Sequence, residues 1–368
     1  VRIALVVQGG ADRSGRERVV PALLWQLERL ARSHEVHVFA LRHEAAPGHY
    51  PLLGAEVHDL GGALAHPALG LAQLFPRLLS WLRRHGPFDV IHAYRGGAPG
   101  FLAAIAARVL GTPLVLTLDG GELVGLPEIG YGLQLRWRDR SMLAAAVRTA
   151  RIVTVCSPYM RRLAEAAGLS VRELPLGVDA AAFSPAAARP GPPWRLLSVG
   201  HLNAVKDPWT LLRAMRRLID HESEARLDVV GLDTLGSQVQ GLARELGLAD
   251  HVTFHGLQSA DRMPGLYRGC HLLVQASRHE AGPVAVLEAA ACRIATVGTA
   301  VGYLAAWSPE RASAVPVGDP EALASATLSL LRDTCRREEL AGRARAWALS
   351  HDADWTTARL SELYAGVR

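Results

Sequence analysis

The sequence predicts an α/β protein made of two consecutive Rossmann-like domains, each a largely parallel sheet with helices on its faces. Three observations predict it. Short β-rich runs alternate with helical patterns, the alternation restarts halfway along the chain, and a stretch suited to neither element separates the halves. A chain of 368 residues is long enough to bury two cores.

In the first half the β-rich runs are Arg2 to Val7, Glu35 to Ala40, Phe88 to Ala93, Pro113 to Leu118 and Arg151 to Cys156. In the second they are Arg195 to Gly200, Arg226 to Gly231, His251 to His255, His271 to Ala276 and Ile294 to Val297. Helical patterns between successive runs imply parallel strands joined by crossovers. Phe183 to Pro193, FSPAAARPGPP, cannot sustain a helix or a central strand and reads as the linker. The expected division is therefore 1–187, 188–350 and a terminal helix over 351–368. Ser157-Pro158 supplies an N-cap followed by proline at the first helical position, and Gly168 ends that helix. Asp207-Pro208 and Asp319-Pro320 repeat the device. From Asp354 to Val367, Trp355, Leu360, Leu363 and Tyr364 recur at helical spacing.

Hydrophobic residues make up 49% and charged residues 20%, which is the globular range. A net charge of +5 favours anionic partners without choosing among nucleotide, lipid and nucleic acid. Cys156, Cys270, Cys292 and Cys335 form no C-x-x-C pair, so neither a zinc site nor a disulfide framework is expected, and a reducing cytoplasm fits best. The opening VRIALVV reads as a strand without signal-peptide features, and no apolar stretch reaches the ~20 residues needed to span a bilayer. No H-E-x-x-H, G-x-S-x-G, P-loop or complete G-x-G-x-x-G after the first strand is present, which removes the usual support for metalloprotease, serine hydrolase, NTPase and dinucleotide enzymes. Nothing suggests a nucleic-acid-binding fold. Asp352-Ala353-Asp354 is formally a metal-binding D-x-D, but it stands where the last helix starts, and capping explains it.

The stretch richest in chemistry is Ser277 to Pro283, SRHEAGP, followed by the helical run Val284 to Cys292. Glu280 falls in the loop at the carboxyl end of a strand, where open α/β sheets bind ligands. Glu288 lies about one turn into the helix, where its carboxylate can accept hydrogen bonds from sugar or ribose hydroxyls. Ala281, Gly282, Pro283 and Val284 lead into the helix, whose start offers free N–H groups to an oxyanion.

This stretch resembles the S-x-x-E-G-[FL]-P signature and following helical glutamate of the GT4-type glycosyltransferases, retaining enzymes of the GT-B fold. The resemblance extends to SVGHLNAVKDPWTLLRAM, similar to the family's G-R-L-x-x-x-K-G segment, with Lys206 in the lysine position. Gly177-Val178-Asp179 with Phe183 is similar to the family's interdomain hinge, and Val317 to Pro320 to its late helix start. Ser14 to Arg18 corresponds to its glycine-rich first loop, where Gly15 lets a backbone N–H approach the phosphate. Two Rossmann-like domains facing each other across a cleft, with the last helix crossing back to the first, are thereby implied.

Four positions depart from the family pattern. His201 stands at the basic position near the end of the second domain's first strand, Asp119 replaces a histidine at the end of the first domain's fourth strand, and Arg293 and Ala295 replace a glycine and a proline. The resemblance implies a retaining hexosyltransferase with a nucleotide-diphosphate sugar as co-substrate and no metal or other cofactor. Lys206, His201, Gly15 and the helix N-termini would hold the diphosphate, Glu280 the sugar, Glu288 the ribose and Leu257 the base. Asp119 would accept a hydrogen bond from a sugar hydroxyl or the acceptor, and closure about the linker would exclude water. The acceptor is expected to be a lipid, saccharide or small molecule held by the first domain. There Leu69 to His85 combines apolar residues and Trp81 with Arg77, Arg83 and Arg84, so it could rest on anionic membrane at the inner face of the cell or simply pack with a basic outer face. Two alternatives share the motifs: a non-catalytic nucleotide-sugar-binding protein and a nucleotide-sugar epimerase.

Overall fold

The structure, a computed structural model, describes residues 1–16, 18–41, 43–44, 46–61, 67–187 and 190–367. Glu17 of the first loop, Ala188 and Arg189 of the linker, and Arg368 lie outside them. The chain divides into two compact units, Val1–Leu176 with Ala353–Arg368, and Gly177–Asp352.

The first unit runs β1 (Arg2–Val7), α1 (Pro21–Leu30), β2 (Glu35–Ala40), β3 (Gly48–Leu52), β4 (Ala55–Asp59), α2 (Pro67–His85), β5 (Val90–Tyr94), α3 (Ala98–Leu110), β6 (Leu114–Leu118), α4 (Trp137–Thr149), β7 (Ile152–Val155), α5 (Pro158–Ala166) and β8 (Arg172–Glu173). Its eight strands lie in the order β3-β4-β2-β1-β5-β6-β7-β8. The direction of travel reverses between β1 and β5, so the crevice beyond their carboxyl ends is the natural ligand position. β5 and β6 are buried throughout, as expected of strands covered on both faces.

One pairing breaks the parallel expectation: β3 and β4 form an antiparallel hairpin. Its two-residue turn is Leu53-Gly54, both at positive φ (51° and 83°), the backbone geometry that matches strand twist in tight hairpins. The run GHYPL contains glycine, proline and no β-branched residue, which is why it does not read as a strand in isolation.

The predicted helix caps are formed. Ser157 Oγ accepts from Met160 N at 3.2 Å, and Gly168 sits at φ 75° where the chain turns away. In α2, Leu74, Leu78 and Leu82 are buried while Arg77, Arg83 and Arg84 face water. The apolar stripe from Leu74 to Leu82 is therefore spent on the core, and among the described side chains of that helix the charged ones available to a partner are basic; the side chain of Leu69 lies outside them. No helix among the described residues is long and apolar enough to cross a membrane.

The second unit runs β9 (Arg195–Val199), α6 (Pro208–His221), β10 (Arg226–Val230), α7 (Gln238–Glu245), β11 (Val252–Gly256), α8 (Met263–Arg268), β12 (Leu272–Gln275), α9 (Val284–Ala291), β13 (Ala295–Thr299), α10 (Gly302–Trp307), β14 (Ser313–Val315), α11 (Pro320–Arg332) and α12 (Thr334–Ser350). The six-stranded sheet has the order β11-β10-β9-β12-β13-β14, and its described pairings are all parallel. Here the reversal falls between β9 and β12. The predicted linker starts inside this unit, because Phe183 is buried and meets the Tyr267 ring edge-on at 5.8 Å.

The last helix, α13 (Ala353–Gly366), packs in the first unit. Thr356 Oγ1 donates to the Pro175 carbonyl at 2.9 Å, and Asp354 pairs with Arg29 of α1 at 3.0 Å, so the second aspartate of the D-x-D serves as a tether. Tyr364 reaches His92 at 2.6 Å, His92 meets Thr117 at 2.7 Å, and Thr117 meets Thr154 at 2.7 Å, a buried polar chain that runs from α13 across β5, β6 and β7. Such a chain fixes one docking position, because displacing the helix would leave its buried polar groups unpaired.

Candidate functional site

In the second unit, β9 and β12 are adjacent and end in two loops that lock together. Arg278 N donates to the Val205 carbonyl at 2.7 Å, and Arg278 Nε pairs with Asp207 at 3.1 Å. Asp207, 1% exposed and at φ 47°, also caps α6 by accepting from Thr210 N at 3.1 Å. This junction brings Lys206 to Glu280 across 74 residues of sequence, with Nζ 2.5 Å from Oε1. The same oxygen accepts from Ser277 Oγ at 2.6 Å and Gln275 Nε2 at 2.7 Å. Three donors on one oxygen hold the carboxylate in a single orientation.

The close packing has a backbone requirement. A Cβ on Gly302, which sits at φ 55°, would lie 2.7 Å from Pro283 Cδ and 3.0 Å from Glu280 Cβ, so the start of α10 can lie beneath the Glu280 loop only with glycine there. Ala281, Gly282, Pro283 and Val284 carry the chain from Glu280 into the first turn of α9, whose leading N–H groups have no intrahelical acceptor.

His201 lies beyond β9, with Nδ1 accepting from Leu232 N at 3.2 Å. Its neutral ring therefore carries the proton on Nε2, which is free to donate to an anion. Partial desolvation and the Lys206 ammonium both lower its pKa, so near neutrality it donates as an uncharged imidazole. Leu257 follows β11 and is exposed, on a different strand end from Lys206 and Glu280.

Glu288 is only 5% exposed and accepts from the Tyr267 hydroxyl at 2.6 Å. Burial pushes its pKa up to about 7, against the lowering effect of that hydrogen bond. The unfolded chain ionises Glu288 near the ordinary value while the folded chain keeps it protonated, so stability falls as pH rises from about 4.5 to about 7 and levels off above. The shift corresponds to about 3 kcal/mol. Glu288→Gln keeps an oxygen for Tyr267 and is expected to remove most of this loss, making the variant more stable than the wild type at pH 8 but not at pH 4.5. Denaturant unfolding at the two pH values checks it, and equal pH dependence in both proteins would contradict it.

In the first unit, Gly15 lies at φ 63° in the loop after β1, but its N–H donates to the Asp12 carbonyl at 2.9 Å. The expectation that this N–H is offered to a phosphate is corrected: the loop's own turn already uses it. The tighter constraint is at Gly10, where a Cβ would meet Val20 Cγ2 at 2.5 Å. Asp12 is held down to about 2 despite burial, because Ser14, His43 and Arg18 all stabilise its charge. Arg18 bonds Asp12 at 2.6 Å and Glu44 at 2.5 Å, so this Asp12, His43 and Glu44 group already has its cation.

Asp119 follows β6. Its buried Oδ1 has no hydrogen-bond partner among the described residues and stands 4.0 Å from Arg95 Nε, and burial raises its pKa. Sequence reasoning missed its neighbour Glu122, which is 2% exposed and accepts from Gly120 N at 2.8 Å and Gly96 N at 3.1 Å. Burial, with Asp119 nearby, pushes Glu122 up to about 7. The available signal was the Asp-Gly-Gly-Glu spacing, which curls the second carboxylate back under the first. Glu122, Arg95, Tyr131 and Arg136 line a pocket of about 500 Å³ within this unit. A buried carboxylate and a partly buried one, both with raised pKa values and close to Arg95, are the kind of arrangement that binds hydroxyl-rich ligands and exchanges protons with them.

The family described as glycosyl transferases group 1 matches residues 180–347, and glycosyltransferase family 4 matches residues 13–182. A D-inositol 3-phosphate glycosyltransferase of Salinispora arenicola is 31% identical over 348 residues, covering 85% of this chain and 75% of that protein. A GDP-mannose-dependent alpha-(1-6)-phosphatidylinositol monomannoside mannosyltransferase of Mycolicibacterium smegmatis is 28% identical and covers 92% of both chains. Among solved structures, sucrose-phosphate synthase of Thermosynechococcus elongatus superposes with a TM-score of 0.84 at 21% identity, over 99% of this chain and 98% of that one. Anabaena HepE in complex with UDP-glucose superposes with a TM-score of 0.77 at 19% identity, over 99% of each.

Proposed function

This chain belongs to the group 1, family 4 glycosyltransferases, and from that premise we propose that it moves a hexose from a nucleotide-diphosphate sugar to a hydroxyl acceptor with retention of configuration and without a metal ion. The observation that carries the proposal is the Lys206–Glu280 pair, held at the point of strand reversal beside the starts of α6 and α9. Lys206, the His201 Nε2–H and the free N–H groups of α9 take the place of a cation on the diphosphate as the sugar–phosphate bond breaks. Glu280 orients sugar hydroxyls. Glu288 acts on the ribose through the protonated, Tyr267-bound form or by exchanging that partner, and Leu257 offers an apolar contact to the base.

Retention follows if the acceptor oxygen attacks the anomeric carbon from the face the diphosphate leaves. The new carbon–oxygen bond forms as the old one breaks, and the acceptor's proton passes to the departing phosphate. No enzyme nucleophile is required. Glu122 bonds acceptor hydroxyls in the first unit's pocket, Asp119 accepts from a sugar or acceptor hydroxyl at the adjoining end of β6, and Arg95 and Arg136 favour an acceptor that carries negative charge. The two curated relatives described above have an inositol phosphate and a phosphatidylinositol mannoside in their names, which supports a phosphorylated polyol or glycolipid acceptor here. Membrane attraction would be electrostatic only, through Arg77, Arg83 and Arg84, and a cytoplasmic site of action fits the free cysteines.

UDP-glucose and GDP-mannose, each tested with EDTA against inositol phosphates and phosphoinositide vesicles, form the deciding experiment. One donor is expected to raise the melting temperature and to yield a glycosylated product whose anomeric configuration matches the donor. Turnover that requires a divalent ion, an inverted product, or conversion of the donor to its epimer without acceptor would each overturn the corresponding part of the proposal.

A further inference from the structure

Away from the strand ends that gather the transfer residues, the first unit buries a cluster of imidazoles. His37 on β2, His58 on β4 and His85 at the end of α2 each offer one ring nitrogen, and the three lie within 4.8 Å of one another. His58 is 1% exposed and His37 6%. The His58 and His85 ring centroids are 4.2 Å apart, and Phe39, Trp81 and Phe88 pack around the group.

The hydrogen bonds assign the protons. Glu35 Oε1 lies 3.1 Å from His37 Nε2 and, as an ionised carboxylate, can only accept, so His37 carries its proton on Nε2. His37 Nδ1 is then a lone pair, and it lies 2.9 Å from His58 Nε2, which must donate. That leaves His58 Nδ1 as a buried lone pair that no donor among the described residues reaches. A nitrogen buried in this way without a donor is a group the fold has left unsatisfied.

We propose that His37, His58 and His85 form a transition-metal site, three imidazoles with an open fourth position, that takes Zn²⁺. Imidazole ligands suit zinc, and three of them leave room for a water. Ligation requires neutral rings. The lone pairs that would meet the ion are His58 Nδ1 and His37 Nδ1, the latter once the His58 Nε2–H bonded to it swings away. An outer shell is also in place. Glu35 bonds the far nitrogen of His37 and is itself held by Arg2 at 2.9 Å, the carboxylate–histidine pairing that orients metal-bound imidazoles. His85 is half-buried at a helix end and gives access from solvent. The ion would fasten the end of α2 to β2 and β4. It would take no part in sugar transfer.

Titration of tag-free protein with Zn²⁺ by calorimetry, and with Co²⁺ by visible absorption, tests the proposal. The wild type is expected to bind one equivalent, raise its melting temperature and give the d–d bands of a low-coordinate Co²⁺ site. His85→Gln, at the end of its helix, should fold with unchanged circular dichroism and lose the site, and His58→Gln should lose it too. Glu35→Gln should weaken binding by about 10–100-fold while keeping the stoichiometry. Absence of a bound equivalent in the wild type, or its persistence in both histidine variants, would overturn the proposal.

Discussion

Lys206→Ala is expected to lower kcat for sugar transfer by about 10²–10³-fold, the range found when one preorganised donor to a developing oxyanion is removed. The charge on a leaving diphosphate grows as the sugar–oxygen bond breaks, so an ammonium aimed at it acts more strongly on the transition state than on the bound donor. Donor KM should accordingly change by much less than kcat. The loop should survive the substitution, because Lys206 N donates to Asn203 Oδ1 at 3.0 Å and Arg278 N to the Val205 carbonyl, and neither bond uses the lysine side chain. Lys206→Arg should rescue poorly. The lysine methylenes approach the position a Cβ on Gly200 would occupy at 3.0–3.5 Å, which leaves little width for a guanidinium. Steady-state rates at saturating donor with unfolding curves alongside provide the measurement, and a wild-type kcat in Lys206→Ala would remove the lysine from the mechanism.

Glu280→Gln should cost kcat about as much, by a different route, and Glu280→Ala should also destabilise the fold. The carboxylate is the common acceptor for Lys206, Ser277 and Gln275, so its removal strands three donors in a partly buried loop, at about 1–3 kcal/mol for each one that water cannot reach. The glutamine variant keeps one oxygen and should lose mainly the electrostatic part. Because the lysine and the glutamate act as a unit, the double alanine variant should be little worse than the poorer single one. Strictly additive losses in kcat/KM would show two independent roles and defeat the pair as the organising element.

Where the second unit's candidate site residues lie was mostly legible without coordinates. Its residues sit at strand ends and helix starts, positions fixed by local patterning: a β-rich run, a loop with glycine and proline, then a helical run. The placement of Lys206 before Asp207-Pro208 and of Glu280 before Gly282-Pro283 follows from that local grammar, their expected roles came from the family resemblance, and Asp207 caps its helix as read. In the first unit the same grammar located Asp119 and the Gly15 loop. It misjudged what the Gly15 N–H does, since a turn's internal hydrogen bond depends on backbone angles that composition does not set.

The two α/β halves, most of the strands, the capped helix starts and the motif loops are set by local patterning, because each depends on neighbours a few residues away. Tertiary structure alone decided the rest. The Lys206–Glu280 contact, the use of Glu288 by Tyr267, the burial that lifts Glu122 and Glu288 to about 7, and the meeting of His37, His58 and His85 all join residues from separate elements. Pairing and desolvation are properties of the packed interior, where strand order and helix docking set which polar groups meet away from water, and no spacing along the chain encodes them directly.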